Sequence, residues 1–338
     1  MIRIENIKID EEFFNLLIQF LNNITGLNLE YYRREFVERR IKARMIRVNC
    51  STLESYYYYL LENSFEIDKF LDGFNVNYSI FFRNWEVFQQ FQTLLIKSLG
   101  YKKSEIICDL KPNLKRNNSA RSKNPHKSRT FKIFQNSRFK PTSAKHFLEI
   151  TSLYKKIRSL PRTSNYVNIW SCPCASGQEP FSIAIILDNL KNKIPNFPQF
   201  KLIASDIDRD AIDKAKIGIY SETSMTSVSE FIEDKYFRKR KEFLGYKYIL
   251  DEDIKNNIEF LEEDLTKGHK TSLMYDIIFS RYLLIYISNK TREKFLNIIK
   301  SHLNYGGLLI LGKTETLFNT DDDLMLIDSF NRIYLKLT

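Results

Sequence analysis

From Tyr166 onward the apolar pattern of the chain switches repeatedly between a period of two and a period of about 3.6, and few folds satisfy such an alternation. The strand pattern "YVNIWS" leads into a helical pattern over 180–191. "KLIAS" leads into "DRDAIDKAKI", which Gly218 is placed to close. "YDIIFSRYLLIYI" reads as one buried strand, "NKTREKFLNIIKSHL" as a helix, "NYGG" as a turn, and "LLILGKT" and "RIYLKL" as two further strands. Strands and helices alternating at these lengths specify an α/β, doubly wound, Rossmann-like sheet, whose ligand lies at the carboxyl ends of its strands.

The N-terminal part has no strand period. Phe13, Leu17, Leu21 and Ile24 recur at helical spacing over residues 10–24, with Gly26 as the stop. "YYRREFVERRIKARMIRV" is helical by propensity and sets Arg40, Arg44 and Arg47 on one stripe, either a solvated face or a docking surface for an acidic helix. Ser51 to Glu54 has capping-box spacing and opens a third helix, "EIDKFLDGF" continues in kind, and Asn84 caps a helix whose Phe88, Phe91 and Leu95 face inward. An all-helical domain over 1–97 follows, then a segment 98–164, then a sheet domain over 165–338.

The net charge of +11 belongs to the middle segment. Residues 97–162 carry 18 Lys and Arg against 3 Asp and Glu, a local +15, so the remainder is at −4. Polar, basic and broken by Pro and Asn, this stretch reads as an exposed insert, flexible over 111–130, with helix returning near "AKHFLEITSLYKKIRSL". Phe131, Phe134 and Phe139 among its cations suit either a single-stranded nucleic-acid surface or a tether to the body of the protein, and the tether or an unstructured loop is preferred. Elsewhere no apolar run reaches the roughly 20 residues of a membrane span, and the N-terminus lacks a signal-peptide profile, so a cytoplasmic protein is expected. Four scattered cysteines make no disulfide framework, and Cys172 and Cys174 lack a second pair at metal-ligand spacing; no metal is expected.

The chemistry concentrates at "SCPCASGQEP", after the first strand. Ala175, Ser176 and Gly177 keep side-chain bulk low, so backbone can approach a ligand, and Pro180 begins a helix whose free N–H groups favour a polar or negative group. A dinucleotide fingerprint has three glycines where this turn has one, which sets a dehydrogenase far behind. At the tip of the second strand Asp206 is placed to bind a ribose diol, while Asp208 caps the next helix.

These motifs, together with "NVNYSIFFRN", "ASDIDRDAIDKAKIGIY", "FSRYLLIYIS" and "GGLLILGKTETL" in the same order, resemble the CheR-type chemoreceptor-glutamate methyltransferases, which use S-adenosylmethionine and release S-adenosylhomocysteine. The resemblance implies that Asn77, Ser79, Arg83, Glu179, Asp206, Asp264, Leu265, Arg281 and Tyr282 contact the cofactor, and that Arg83 and Tyr286 serve catalysis. Ser79 stands for the family's threonine, Asp264-Leu265 for its Asn-Leu, and Arg281-Tyr282 for its Arg-Asn; Gln178 and Ser280 also differ. It further implies a small antiparallel β-subdomain, here at about 221–260. The implied partners are the cytoplasmic helices of methyl-accepting chemoreceptors, docked on Arg40, Arg44 and Arg47 of a protein expected to be monomeric and without membrane insertion.

Two rival readings stand beside it. A nucleic-acid methyltransferase would use the basic insert, but the polar-Pro-Pro-aromatic motif of amino-adenine enzymes is replaced by "SRYL". A non-catalytic receptor-binding module would keep the fold and lose the chemistry, as Tyr282 and the altered turn allow.

Overall fold

The computed structural model describes residues 7–25, 27–74, 79–98, 166–195, 197–243, 245–317 and 323–337. Gly26, Asn77 and the basic segment, with its expected helix near 144–160, lie outside the described residues. The chain divides into two compact units: 1–78 with 264–271 and 281–301, and 79–263 with 272–280 and 302–338.

In the first unit, four helices follow one another: α1 Glu11–Thr25, α2 Arg34–Arg47, α3 Leu53–Glu62 and α4 Ser64–Phe74. Helix α1 buries Phe14, Leu17, Ile18 and Leu21, so its apolar stripe is rotated from the expected one and Ile24 is exposed. The wider stripe is what a helix packed on two neighbours requires. Thr52, one residue later than expected, caps α3, in a reciprocal box with Ser55. Phe36, Ile41, Met45, Tyr56, Phe70 and Phe74 fill the core between these helices.

The second unit holds the sheet. Strands β1 Tyr166–Ser171, β2 Gln199–Asp206, β6 Ile258–Glu262, β7 Tyr275–Ser280 and β8 Leu303–Leu311 run parallel, and β10 Ile333–Lys336 lies antiparallel between β8 and β9 Leu324–Asp328. The order is β6-β2-β1-β7-β8-β10-β9, so the direction of winding reverses between β1 and β7. A crevice outside the carboxyl ends of those two strands is where doubly wound sheets bind ligands. Helices α5 Trp85–Ser98, α6 Gln178–Lys191 and α7 Arg209–Ile217 belong to this unit. Helix α5, read from sequence with the N-terminal helices, instead packs on the sheet: Phe88 and Phe91 lie 6.1 and 5.1 Å from Phe279, ring to ring.

Three expectations are corrected here. The strand read through "YDIIFSRYLLIYI" ends at Ser280, because left-handed Tyr282 (φ 63°) breaks the extended backbone; residues 284–286 form a turn. The segment "NYGG" is inside β8 rather than a turn before it. The small antiparallel sheet comprises β3 Ile219–Ser221, β5 Gly245–Leu250 and β4 Phe237–Glu242, in that order, but Ile258–Glu262 joins the large sheet as its edge. Among the described residues, the short helices α8 Glu230–Tyr236 and α9 Glu252–Lys255 and the longer α10 Asn289–His302, before β8, also join strands.

Candidate active site

In the second unit the turn after β1 is locked from both sides. Cys172 N–H donates to Phe279 O at 2.9 Å and Cys174 N–H to Ser205 O at 2.9 Å, tying the turn to β7 and β2. The Cys172–Pro173 bond is cis. Ala175 (φ 46°) and Gly177 (φ 89°) both adopt left-handed backbone, which turns the chain into α6. A Cβ on Gly177 would stand 2.7 Å from the Phe181 ring and 2.8 Å from Ala215, so this glycine serves helix packing as well as the turn. The sequence argument assigned it to ligand approach alone.

The two acidic residues expected here sit at the opened strand ends. Glu179 lies in the first turn of α6, and its Oε1 accepts from Ser171 Oγ, the last residue of β1, at 2.9 Å. Asp206 ends β2, and its two oxygens accept from Ala175 N–H at 2.7 Å and Asp208 N–H at 3.0 Å. A carboxylate offers about four acceptor sites, so capacity remains for a diol. Burial pushes the Asp206 carboxyl up to about 6, against the lowering pull of its backbone donors. Asp208 caps α7 through Ala211 N–H at 3.1 Å. Burial also drives the Cys172 and Cys174 thiols well above their ordinary range, chemistry unsuited to a nucleophile. Among the described residues no His, Cys, Asp and Glu cluster is arranged to hold a metal ion.

Ser79 and Arg83 reach this unit on a short strained loop. Phe82 (φ 53°) and Asn84 (φ 60°) are both left-handed, a conformation that persists in a bulky residue only when surroundings fix it. The surroundings are visible: Phe82 N–H donates to Ser182 Oγ at 2.8 Å, and Phe81 N–H donates to Ser224 O at 3.0 Å. Phe81 sits edge-on to Tyr220 and Phe237, and Phe82 edge-on to Trp85 and Phe88. Arg83 is therefore carried by backbone anchored to α6, one turn beyond Glu179.

The remaining expected residues belong to the first unit. Asp264 accepts from Thr266 N–H at 2.9 Å and Thr266 Oγ1 at 2.6 Å, with Lys267 Nζ at 3.3 Å; it caps a short helical turn in which Leu265 is buried. Arg281 is buried, with its guanidinium 5.3 Å over the Tyr282 ring. Asparagine, which the resemblance sets at position 282, tolerates the left-handed backbone found there better than an aromatic residue does. Tyr286 was expected at a strand end. It lies in the turn, its N–H on Leu283 O and its carbonyl accepting Arg33 N–H, with its ring 5.0 Å from Phe36.

Sequence reasoning missed Ser171, Ser182 and Tyr220, whose hydroxyls hold Glu179, Phe82 and the Ser176 carbonyl. The only cue was a lone serine inside the apolar run "PFSIAIIL". Of the arginine stripe, Arg44 is not available for docking: its fork closes on buried Glu66 at 2.8 and 2.5 Å.

A carboxylate-tipped second strand, a tight turn into α6 and a winding reversal between β1 and β7 define a doubly wound, Rossmann-like domain with its ligand end at these residues. Residues 141–332 match the family "CheR methyltransferase, SAM binding domain", and residues 12–74 match "CheR methyltransferase, all-alpha domain". The chain belongs to the CheR methyltransferase family, and S-adenosylmethionine is its cofactor. The match begins inside the segment read as an insert, so residues 141–164 align with the family. The chain is similar to chemotaxis protein methyltransferase 2 of Vibrio cholerae, 34% identical over 46% of this chain and 54% of that protein. It is also similar to the chemotaxis protein methyltransferases of Borreliella burgdorferi, 24% identical over 92% and 90%, and of Vibrio anguillarum, 31% identical over 51% and 62%. The aligned part thus spans little more than half of the Vibrio relatives' length. Among the described residues no helix is long and apolar enough to cross a membrane.

Proposed function

We propose that this protein transfers the methyl group of S-adenosylmethionine to glutamate side-chain carboxylates of chemoreceptors, forming methyl esters that adjust receptor output. The observation that carries the proposal is the anchored loop Phe81–Arg83, fixed through Ser182 to the helix whose first turn carries Glu179. It supports a guanidinium held in a constant position at the ligand end of the sheet.

In this reading the ribose diol is bound by Asp206, and Glu179, Asn77, Ser79, Asp264, Leu265, Arg281 and Tyr282 hold the rest of the cofactor, which supplies an electrophilic methyl on a sulfonium. A glutamate with an ordinary pKa of about 4.3 is already ionised at neutral pH, so its oxygen attacks without a general base. A C–O bond forms as the S–C bond breaks, and the electron pair of that bond stays on sulfur as a neutral thioether. Opposite charges merge along the path, so a dry site hurts the transition state less than it hurts the separated ions. Arg83 grips one carboxylate oxygen while the other attacks, a task suited to a guanidinium fork. The Tyr286 hydroxyl steadies the same group.

Arg40 and Arg47, with Arg44 withdrawn by Glu66, supply the cationic face for an acidic receptor helix. The protein acts in the cytoplasm as a monomer, and the basic segment is not required to bind nucleic acid. The test is incubation with methyl-labelled cofactor and receptor helices, scoring methanol released by alkali. Alkali-stable product would point to another acceptor, and cofactor binding without any transfer would leave a receptor-binding module.

A further inference from the structure

A cleft of about 370 Å³ opens between α2 and α4 in the first unit, lined by Arg40, Ala43, Arg44, Arg47, Lys69 and Gly73. Four of these residues are cationic. One charge is balanced inside the fold: Glu66 takes both arms of Arg44 and also accepts from Tyr56 OH at 3.0 Å, so its oxygens are committed. Arg40 is in a different position. Its guanidinium lies over the Phe36 ring at 5.1 Å, and its Nε is buried without a hydrogen-bond partner. A buried donor of this kind is satisfied when an anion enters.

Size and charge decide which anion. A cleft of this volume is at the small end of ligand pockets, the range of a small ionic group. Arg40, Arg47 and Lys69 line one cleft, Lys69 with its ammonium 4.9 Å over the Phe65 ring; a single carboxylate brings them one charge, and a phosphate group close to two with three acceptor oxygens. We propose that the cleft binds a small phosphate ester, gripped by Arg40 and Arg47 with Lys69 completing the cationic wall.

Occupancy would be felt at the proposed chemistry, because Phe36, which carries Arg40 on its face, packs against Tyr286 at 5.0 Å. It would also cover the two arginines assigned to receptor docking. That regulatory consequence rests on the proposed function; the binding itself does not.

The test is calorimetric titration of the full chain with inorganic pyrophosphate at low ionic strength, without cofactor or acceptor. The expected result is saturable binding of one pyrophosphate per chain, weakened at least tenfold in Arg47→Ala and in Arg40→Gln. Arg47 is exposed at the end of α2, so Arg47→Ala should keep the wild-type thermal midpoint and carries the test if Arg40→Gln misfolds. Absence of saturable binding at millimolar pyrophosphate, or binding equal in the Arg47 variant, overturns the proposal. So does Arg47-dependent binding of a polyglutamate peptide with none of pyrophosphate, which would make the cleft a peptide site only. Pyrophosphate binding alongside failure of methyl transfer to receptor helices would overturn the proposed function and leave the cleft standing.

Discussion

The backbone N–H of Phe82 donates to Ser182 Oγ at 2.8 Å, and the same hydroxyl donates to Gln178 O at 2.6 Å. One serine therefore couples the loop that bears Arg83 to the first turn of α6, across 100 residues of sequence. Ser182→Ala strands a buried N–H, at a cost of about 1–3 kcal/mol. The thermal midpoint should fall by a few degrees, and kcat for methyl transfer by roughly tenfold as Arg83 loses its fixed position. Cofactor affinity measured by calorimetry should change less than kcat; equal losses in both would make Ser182 a merely structural support.

Asp206 gives two opposite pH trends. Its carboxyl, ordinarily at 3.8 and pushed up to about 6 by burial, binds a proton more tightly in the fold than in the unfolded chain. The folded protein without cofactor should thus gain stability as pH falls through 6 towards 4, by on the order of 3 kcal/mol, and lose it as pH rises. Cofactor binding should weaken over the same interval, because the diol needs the ionised acceptor. Denaturant midpoints and calorimetric titrations across pH 4 to about 8 should separate the two trends. Asp206→Asn should flatten both; a variant that kept either slope would assign it to another group.

Arg83 separates binding from chemistry. Arg83→Ala should reduce transfer at least a hundredfold while the circular-dichroism spectrum and melting temperature stay near wild type, since Phe81 and Phe82 hold the loop. Arg83→Lys should recover only part of the loss, because a point charge lacks the two-pronged grip. Unchanged turnover in the alanine variant removes Arg83 from the mechanism.

Tyr286→Phe keeps the ring that packs on Phe36 and deletes only the hydroxyl. The expected outcome is a fall in kcat of about tenfold with an unchanged melting temperature, read from steady-state assays. A drop in stability without a change in kcat would assign the hydroxyl to structure and remove it from the chemistry.

The sheet was legible because short continuous apolar runs, the mark of strands buried on both faces, alternate with segments of period 3.6. The positions of Asp206 and Asp208 were legible for the same reason: one falls at the end of a strand and the other caps the start of a helix. Tyr286 was misplaced because "LLIYI" has strand composition, and the break is made by backbone at Tyr282, not by composition. Helix α5 was grouped by adjacency, while its Phe88 and Phe91 pack on Phe279 from the far side of the sequence. Arg44 looked exposed because the stripe repeats at helical spacing, and its partner Glu66 is on another helix. Burial that depends on a distant segment leaves little trace in a local pattern.

The most direct measurement is mass-spectrometric mapping of the methylated residue after incubation of wild type and Arg83→Ala with cofactor and intact receptor cytoplasmic domains. The predicted result is methyl ester on glutamate side chains, lost under alkali and absent with the variant. Methyl groups on lysine or on co-purified nucleic acid, or glutamate esters formed equally well by the variant, would contradict it.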